Sequence, residues 1–422
     1  MAIPSIANAI RREDGILPNI ERYYTDFPMF FKFFAHCRIY LDYASSTPVD
    51  ARMHRTFPKL SQTVIGANPS ALHTEGVQAR KAINDARARV AKTLNAHADE
   101  IIFTSGATES DNLALVGAIE GFLKKGIVLS DIAVITSVLE HAAVLEPLAP
   151  YKDKGLFTMT IPAQHGVIDP KHIIIPEHAK VVLVSIMYVN NEIGTVQPIK
   201  DIAKRVRKLR KEYPDKTILF HTDATQAPLY FNLRVDQLGV DMMTLGATKL
   251  YTHKGVGILY KKRNVTLVPI IRGGGQERGL RPGTEPIELI HNFAHALAYA
   301  QERREEEAKR ITDLQTYFEA TLVQERPVHI TAKGSPRSPH ISHVAIKDFD
   351  SELLVIELDA KGIAVSAKSA CKNEEDQESS IVESIYGKGW GAVRFSFGRK
   401  TREGELDRTV RALKKIFDKY KK

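Results

Sequence analysis

Lysine, aspartate, histidine and amide side chains recur just past short apolar runs in this chain, and that placement is where chemistry is done. The apolar stretch from Val240 leads through Gly246 and Thr248 to Lys249, and Gly255-Val-Gly257 then turns the chain into Ile258-Leu-Tyr260. A lysine set past a buried strand loses part of its hydration, which lowers its pKa and equips the free amine to form a Schiff base. The plain alternative is a solvated surface lysine, since buried unpaired lysines are rare. Asp223 ends the preceding run, Ile218-Leu-Phe-His-Thr-Asp223, and Gln226 follows it. Ligands of open α/β sheets sit outside the carboxyl ends of strands, so Asp223 and Lys249 can face one crevice.

A lysine for an aldehyde and a carboxylate to keep a pyridine nitrogen protonated are the needs of a pyridoxal 5'-phosphate (PLP) site. Three other stretches offer what remains. Phe103-Thr-Ser-Gly-Ala-Thr-Glu109 runs from strand to helix, and the N–H groups there, beside Ser and Thr hydroxyls, suit a phosphate. An ordinary capped helix reads the same way. His141, after Ser137-Val-Leu-Glu140, can lie on an aromatic ring or simply begin a helix. Asn191, in Tyr188-Val-Asn-Asn-Glu-Ile-Gly194, can hydrogen-bond a phenolic oxygen, although Asn-Gly turns are common in loops.

The elements that must position these groups alternate. Strands are expected at Glu100–Thr104, Ile132–Thr136, Lys180–Met187, Thr217–His221, Asp241–Leu245 and Val256–Tyr260. Helices are expected at Glu75–Leu94, Glu109–Lys124 and Ile199–Glu212. Strands separated by helices predict right-handed βαβ units and an α/β fold with a mainly parallel sheet. Glu285 to Leu322 reads as one long helix or two, with the charged run Arg303 to Arg310 as a solvated face. Beyond it lies a smaller α+β unit, with strands at Ile341–Ile346 and Ala392–Phe397 and a helix at Ser351–Lys361. A last helix is expected to be capped by Thr401, with Glu403 and Glu405 in its first turn and Leu406, Val410, Leu413 and Phe417 on its apolar stripe. The expected organisation is an N-terminal extension (1–38), a small domain (39–50 with 304–422) and a large domain (51–303). Phe27 to Phe34 is too aromatic to stay in water, so the extension is expected to dock as a packed arm.

Composition narrows the function class. A chain of 422 residues can bury a sizeable core, and a net charge of +9 without an arginine-rich tract makes direct nucleic-acid binding a weak reading. Two distant cysteines, Cys37 and Cys371, form neither a disulfide framework nor a metal-binding pair, so no metal is expected and a reducing, cytoplasmic setting fits. No apolar run reaches membrane-spanning length, and the N-terminus lacks the order of a secretory signal.

Taken in order, the motifs resemble those of the cysteine desulfurases, in the class V aminotransferase branch of fold-type I PLP enzymes. They are Leu41-Asp-Tyr-Ala-Ser-Ser-Thr-Pro48, Asn68-Pro-Ser-Ala-Leu-His73, Thr104-Ser-Gly-Ala-Thr-Glu-Ser-Asp-Asn112, Glu140-His141 and Asn190-Asn-Glu-Ile-Gly194. His221-Thr-Asp-Ala-Thr-Gln226, Gly273-Gly-Gly-Gln-Glu-Arg-Gly279, Ser369-Ala-Cys371 and Arg394-Phe-Ser-Phe-Gly-Arg399 follow. The resemblance implies a fold-type I transferase with a seven-stranded-type sheet. It implies Lys249 as Schiff-base lysine and Asp223 as partner of the pyridinium. His141 is implied on the cofactor ring, and Asn191 and Gln226 on its phenolic oxygen. Ala107 and Thr108 are implied on the phosphate, with Thr284 reaching it from the second subunit of a homodimer, and the Thr248 hydroxyl is expected to replace one phosphate bond of the residue it stands for. Arg394 resembles the clamp on the carboxylate of L-cysteine, a task suited to its bidentate fork. Cys371 resembles the nucleophile that takes sulfur as a persulfide, leaving L-alanine. Cys371 lies 23 residues before Arg394, a spacing that resembles the long-loop branch serving iron–sulfur scaffolds and tRNA thiolation, so a sulfur-acceptor protein is an expected partner.

The chain departs from the family pattern beside the lysine. Gly246 and Thr248 stand where Ser and His usually bond the phosphate, and Thr252-His253 replaces the usual Gly-Pro. The segment after Cys371, with Glu374, Glu375 and Asp376, is also unlike the common one. A selenocysteine lyase or related class V enzyme, and a scaffold with a weakened cofactor site, are the alternative readings.

Overall fold

Apolar runs that alternate with helical stretches leave few ways to bury both, and the chain takes the expected one. The computed structural model describes residues 38–52, 64, 66–325, 328–367, 385–387 and 389–420. Cys37, Phe27 to Phe34 and the segment bearing Cys371 lie outside the described residues.

In chain order the strands are β1 (Ile39–Tyr40), β2 (Ile101–Thr104), β3 (Ile132–Ser137) and β4 (Phe157–Ile161). A small hairpin of β5 (Ala163–Gln164) and β6 (Val167–Ile168) follows. Then come β7 (Val181–Ser185), β8 (Thr217–Asp223), β9 (Met242–Gly246) and β10 (Gly257–Lys261). The last four are β11 (His329–Ile330), β12 (Ile341–Lys347), β13 (Ile363–Ala364) and β14 (Trp390–Ser396). Among the helices are α1 (Thr74–Leu94), α2 (Ala107–Lys124), α3 (Ala142–Leu145) and α4 (Ala149–Lys152). They continue with α5 (Ile199–Glu212), α6 (Val235–Leu238), α7 (Ile287–Glu325), α8 (Ser351–Asp359) and α9 (Glu403–Lys419).

Seven strands form the central sheet in the order β2-β10-β9-β8-β7-β3-β4. Strands β9, β8, β7, β3 and β4 are parallel neighbours, while β10 runs antiparallel to both β2 and β9. The reversal has a simple cause. A parallel return needs a crossover of a dozen or more residues, and the connection from Gly246 to Gly257 is too short to provide one. Both faces of the sheet are covered, so residues of one strand split between two cores. Ala133 and Ile135 of β3 join one, and Ile132 and Val134 join the other. Strand β4 was not expected from sequence; it adds an edge beside β3, with only Ile161 fully buried.

The smaller sheet is β11-β12-β14, antiparallel throughout. Segment 39–42 joins it from the far end of the sequence. Strand β1 pairs with β13, and Asp42 bridges to Ser396. Helix α7 is a single helix, which decides between the one-helix and two-helix readings, and it packs against α1 and α9. Two expectations are corrected here. Arg402, not Thr401, caps α9, because the Thr401 hydroxyl is turned inward to accept the Gly398 N–H at 2.9 Å. Arg310 is not part of a solvated face, since its guanidinium donates to the carbonyls of Gly398 (3.0 Å) and Thr401 (3.2 Å).

Candidate active site

The carboxyl ends of β2, β3, β7, β8 and β9 share one edge of the sheet, and the loops leaving them carry most of the expected site residues. At this edge Gly257 opens the reversed strand β10, opposite Thr104 on one side and Gly246 on the other. A Cβ on Gly257 would stand 2.6 Å from the carbonyl carbon of Gly106, so only glycine allows the start of α2 to sit this close. Space beyond Gly106 itself is open: apart from its chain neighbours, no atom of the described residues lies within 4 Å of where its Cβ would be. The first N–H groups of α2, at Ala107 and Thr108, have no partners inside the helix and face a position a phosphate can reach.

Lys249 ends the one-turn helix Ala247–Lys249 after β9. Its amine donates to the carbonyl of Ser45. A clamp holds this turn. The Thr47 hydroxyl donates to the Thr248 carbonyl at 3.1 Å and accepts the Tyr251 N–H at 2.8 Å, while Thr47 N–H donates to the same Thr248 carbonyl at 2.9 Å. Tyr251 adopts the left-handed conformation (φ 56°), which a bulky residue takes only when its surroundings compel it. Those surroundings are the Arg399 guanidinium over its ring at 4.3 Å and the Arg399 N–H bonded to its hydroxyl at 2.9 Å.

Asp223 ends β8 and is buried, with Oδ1 accepting the Thr225 N–H at 2.8 Å. Beneath it lies a polar layer to which sequence reasoning assigned no role. His221, two residues earlier on the same face, bonds the hydroxyls of Ser185 (2.9 Å) and Thr244 (3.1 Å). Burial drives its pKa down to about 3, so the ring is neutral. Asp111 of α2 lies 3.6 Å from its Nε2. Burial, and then the charge of Asp223, push the Asp111 carboxyl well above the usual carboxylate range.

Glu140 behaves alike. Burial raises its pKa to about 8, against bonds from the Ser137 hydroxyl (2.6 Å) and the Met187 N–H (2.9 Å to Oε2). A carboxyl raised in the folded state contributes stability that is complete below its ordinary value of 4.5 and lost as pH rises through about 8. The melting temperature of the parent is therefore expected to fall more steeply from pH 5 to pH 8 than that of Glu140→Gln. Equal slopes for the two proteins would show that Glu140 does not titrate in this window.

The remaining groups converge on the same edge. His141 caps α3, its Nδ1 accepting the Ala143 N–H at 3.0 Å, which fixes the ring while leaving it half-buried. Gln226 donates to the Ala44 carbonyl at 2.9 Å and meets His340 Nε2 at 3.2 Å. Arg394 of β14 is 3% exposed and donates to the Asn191 carbonyl at 2.6 Å. It also reaches Asp42 and Ser45, so Lys249 and Arg394 meet on one residue, the amine at the Ser45 carbonyl and the guanidinium at the Ser45 hydroxyl. Thr284 is exposed in the loop before α7, and among the described residues no hydrogen bond joins it to the others. Cys371 lies outside the described residues. Ser366, shortly before it in sequence, pairs with Arg394 through backbone bonds of 2.7 and 3.3 Å. Among the described residues there is no His, Cys, Asp or Glu cluster able to hold a metal, and no helix is long and apolar enough to cross a membrane.

The family model for Aminotransferase class-V matches residues 39–409. The chain belongs to the class-V aminotransferases. Within that family it is similar to cysteine desulfurase IscS of Dictyoglomus turgidum, with 35% identity over 91% of this chain and 95% of that one. It is also similar to cysteine desulfurase IscS 1 of Archaeoglobus fulgidus, with 32% identity over 90% and 97% of the two chains. Among solved structures, a NifS-like protein superposes with a TM-score of 0.80 at 31% identity, covering 90% of this chain and 99% of that one. SspA in complex with cysteine superposes at 0.70 and 32% identity, covering 85% and 98%. This class-V member therefore has the fold-type I architecture of a PLP-dependent family.

The sites of this class-V chain fit that cofactor: an open helix start for a phosphate, a buried carboxylate at a strand end and a lysine turn held between them. Gly246 is a local departure with a structural counterpart. A Cβ there would stand 3.1 Å from the Ala107 Cβ, so the glycine accommodates the start of α2. Gly246→Ser must first push Ala107 by a few tenths of an ångström, whereas Thr248 is only half-buried. The double variant Gly246→Ser/Thr248→His is expected to retain PLP longer on dialysis than the parent, by about 10-fold for one charged hydrogen bond regained. Thr248→His alone is expected to supply most of that gain. Equal retention in all proteins would mean the phosphate is held by other groups.

Proposed function

We propose that this chain is a PLP-dependent cysteine desulfurase, converting L-cysteine to L-alanine and carrying the sulfur as a persulfide on Cys371. The observation that carries the reading is the meeting of the Lys249 amine and the Arg394 guanidinium on Ser45, one at its carbonyl and one at its hydroxyl, with the Asp223 carboxylate buried at the end of the neighbouring strand. An amine, a carboxylate clamp and an anion-binding helix start within one crevice suit a small α-amino acid and a phosphorylated aldehyde.

Bound PLP supplies an electron sink for charge that develops at the substrate Cα. Asp223 would hold the ring nitrogen protonated, Ala107 and Thr108 would hold the phosphate, and His141 would pack on the ring. Asn191 and Gln226 would bond the phenolic oxygen, and Thr248 would offer its hydroxyl to the phosphate. The Lys249 amine would take the proton from Cα, while Arg394 would keep the substrate carboxylate in register. The Cys371 thiolate attacks the substrate sulfur. The Cα–side fragment leaves as L-alanine after protonation, and the sulfur stays on Cys371 until an acceptor protein takes it. The protein works as a cytoplasmic homodimer in which Thr284 of each subunit completes the phosphate site of the other. The acceptor belongs to iron–sulfur cluster assembly or tRNA thiolation.

Purified protein incubated with L-cysteine and a reductant is expected to release alanine and sulfide in equal amounts. Absence of alanine from protein that holds PLP would overturn the reading. It would favour a class V enzyme with another substrate, whereas failure to hold PLP at all would favour the scaffold alternative that Gly246 and Thr248 motivate.

A further inference from the structure

Arg394 does not wait with empty hands. Its Nη1 donates to the Asn191 carbonyl at 2.6 Å, and its Nη2 donates to Asp42 Oδ1 at 2.9 Å and Ser45 Oγ at 2.5 Å. Ser45 Oγ in turn donates to Asp42 Oδ1 at 2.8 Å, so guanidinium, hydroxyl and carboxylate close a triangle. A guanidinium grips a carboxylate with two parallel bonds through one of two forks, Nη1 with Nη2 or Nε with Nη2. Both forks use Nη2, and both N–H groups of Nη2 are already taken. Among the described residues Nε is buried without a hydrogen bond. An incoming carboxylate therefore cannot be held bidentately while Asp42 and Ser45 keep their places.

We propose that Asp42 stands in for the substrate carboxylate on Arg394, and that an amino acid binds by displacing Asp42 and Ser45. The proposal rests on Arg394 being the carboxylate clamp. The Asp42 side chain is 20% exposed, so it has water to turn to when displaced, whereas Arg394 at 4% has none and is kept paired until a ligand arrives. Ser45 links the two ends of the site. Its hydroxyl sits on Arg394 and its carbonyl receives the Lys249 amine, so capture of a carboxylate disturbs the residue on which the amine rests. Asp42 is thus a specificity-determining residue: only a ligand whose carboxylate outcompetes an intramolecular one is admitted.

The opposite role, in which Asp42 orients Arg394 and strengthens its grip, predicts effects of the opposite sign. The probe is L-alanine added to the PLP-loaded protein, its dissociation constant read from the change in the cofactor's visible absorption. Asp42→Asn is expected to bind L-alanine about 10-fold more tightly than the parent, the scale of one charged hydrogen bond no longer broken. Ser45→Ala is expected to tighten it by a smaller factor of about 3, since Asp42 keeps its own bond to Arg394, and carries the test with the same sign should Asp42→Asn not fold. Asp42→Glu, which keeps the charge, is expected to stay near the parent. Unchanged or weaker binding by Asp42→Asn overturns the proposal. Arg394→Gln separates the two readings. If it binds L-alanine as the parent does, Arg394 is not the clamp and the site assignment fails; if it loses binding while Asp42→Asn gains nothing, only the displacement is wrong.

Discussion

Lys249→Ala is expected to lose the covalent link to PLP and to form alanine from L-cysteine at least about 1,000-fold more slowly than the parent, since nucleophile and base are removed together. The loss is chemical, not architectural. The turn bearing Lys249 is held through backbone atoms of Thr248 and Tyr251 by Thr47, and those bonds do not involve the lysine side chain. Melting temperature is therefore expected to change little while activity collapses. PLP should still associate through Asp223 and the start of α2, but should dialyse away. Alanine production at the parental rate would remove Lys249 from the mechanism.

Cys371→Ser is expected to separate cofactor chemistry from sulfur transfer. Lys249, Asp223 and Arg394 are untouched, so the variant should hold PLP and bind L-cysteine with parental affinity. A serine hydroxyl stays protonated and attacks sulfur poorly, while a cysteine with an ordinary pKa near 8.5 supplies thiolate at neutral pH. No persulfide should be trapped by an alkylating reagent, and alanine from L-cysteine should fall by roughly 100-fold or more. Undiminished alanine release from Cys371→Ser would point instead to a lyase that frees sulfur or selenium without a protein thiol.

Much of the frame was legible because the runs that build it bury both faces. Ile132 to Ser137 or Val181 to Ser185 can hardly be anything but interior strands, and the helix Ile199–Glu212 begins and ends where its spacing of Ile199, Ile202, Val206 and Leu209 requires. Strand β4 escaped because it lies on the edge. Yet Phe157-Thr-Met-Thr-Ile161 alternates apolar and polar residues, a signal that was there to be read. The cap of α9 was misplaced by one residue because Thr401 has a capping side chain that its own turn consumes.

The placement of the candidate groups was legible at strand ends, as for Asp223 at the end of β8 and Lys249 just past β9. It was not legible where hydroxyls act at a distance. Nothing local to Thr47 or Ser45 reveals that one clamps the lysine turn and the other touches both Lys249 and Arg394. His221 and Asp111 were visible only as parts of motifs. Their burial in a shared layer beneath Asp223 follows from two separate elements, β8 and α2, meeting in the fold.

The bonds around Ser45 and Thr47 also set an order of events in folding. Arg394 and Asp42 are 352 positions apart, and Thr47 and Thr248 are 201 apart. Contacts between such remote positions carry a large loop-closure cost and form late. During synthesis, Asp42 to Thr47 emerge early but have nothing to hold until β9 and finally β14 have been made. The crevice is thus among the last features of the chain to be completed. Cofactor capture should accordingly report on the whole molecule: a chain stopped before Arg394 should fold much of its sheet yet fail to retain PLP.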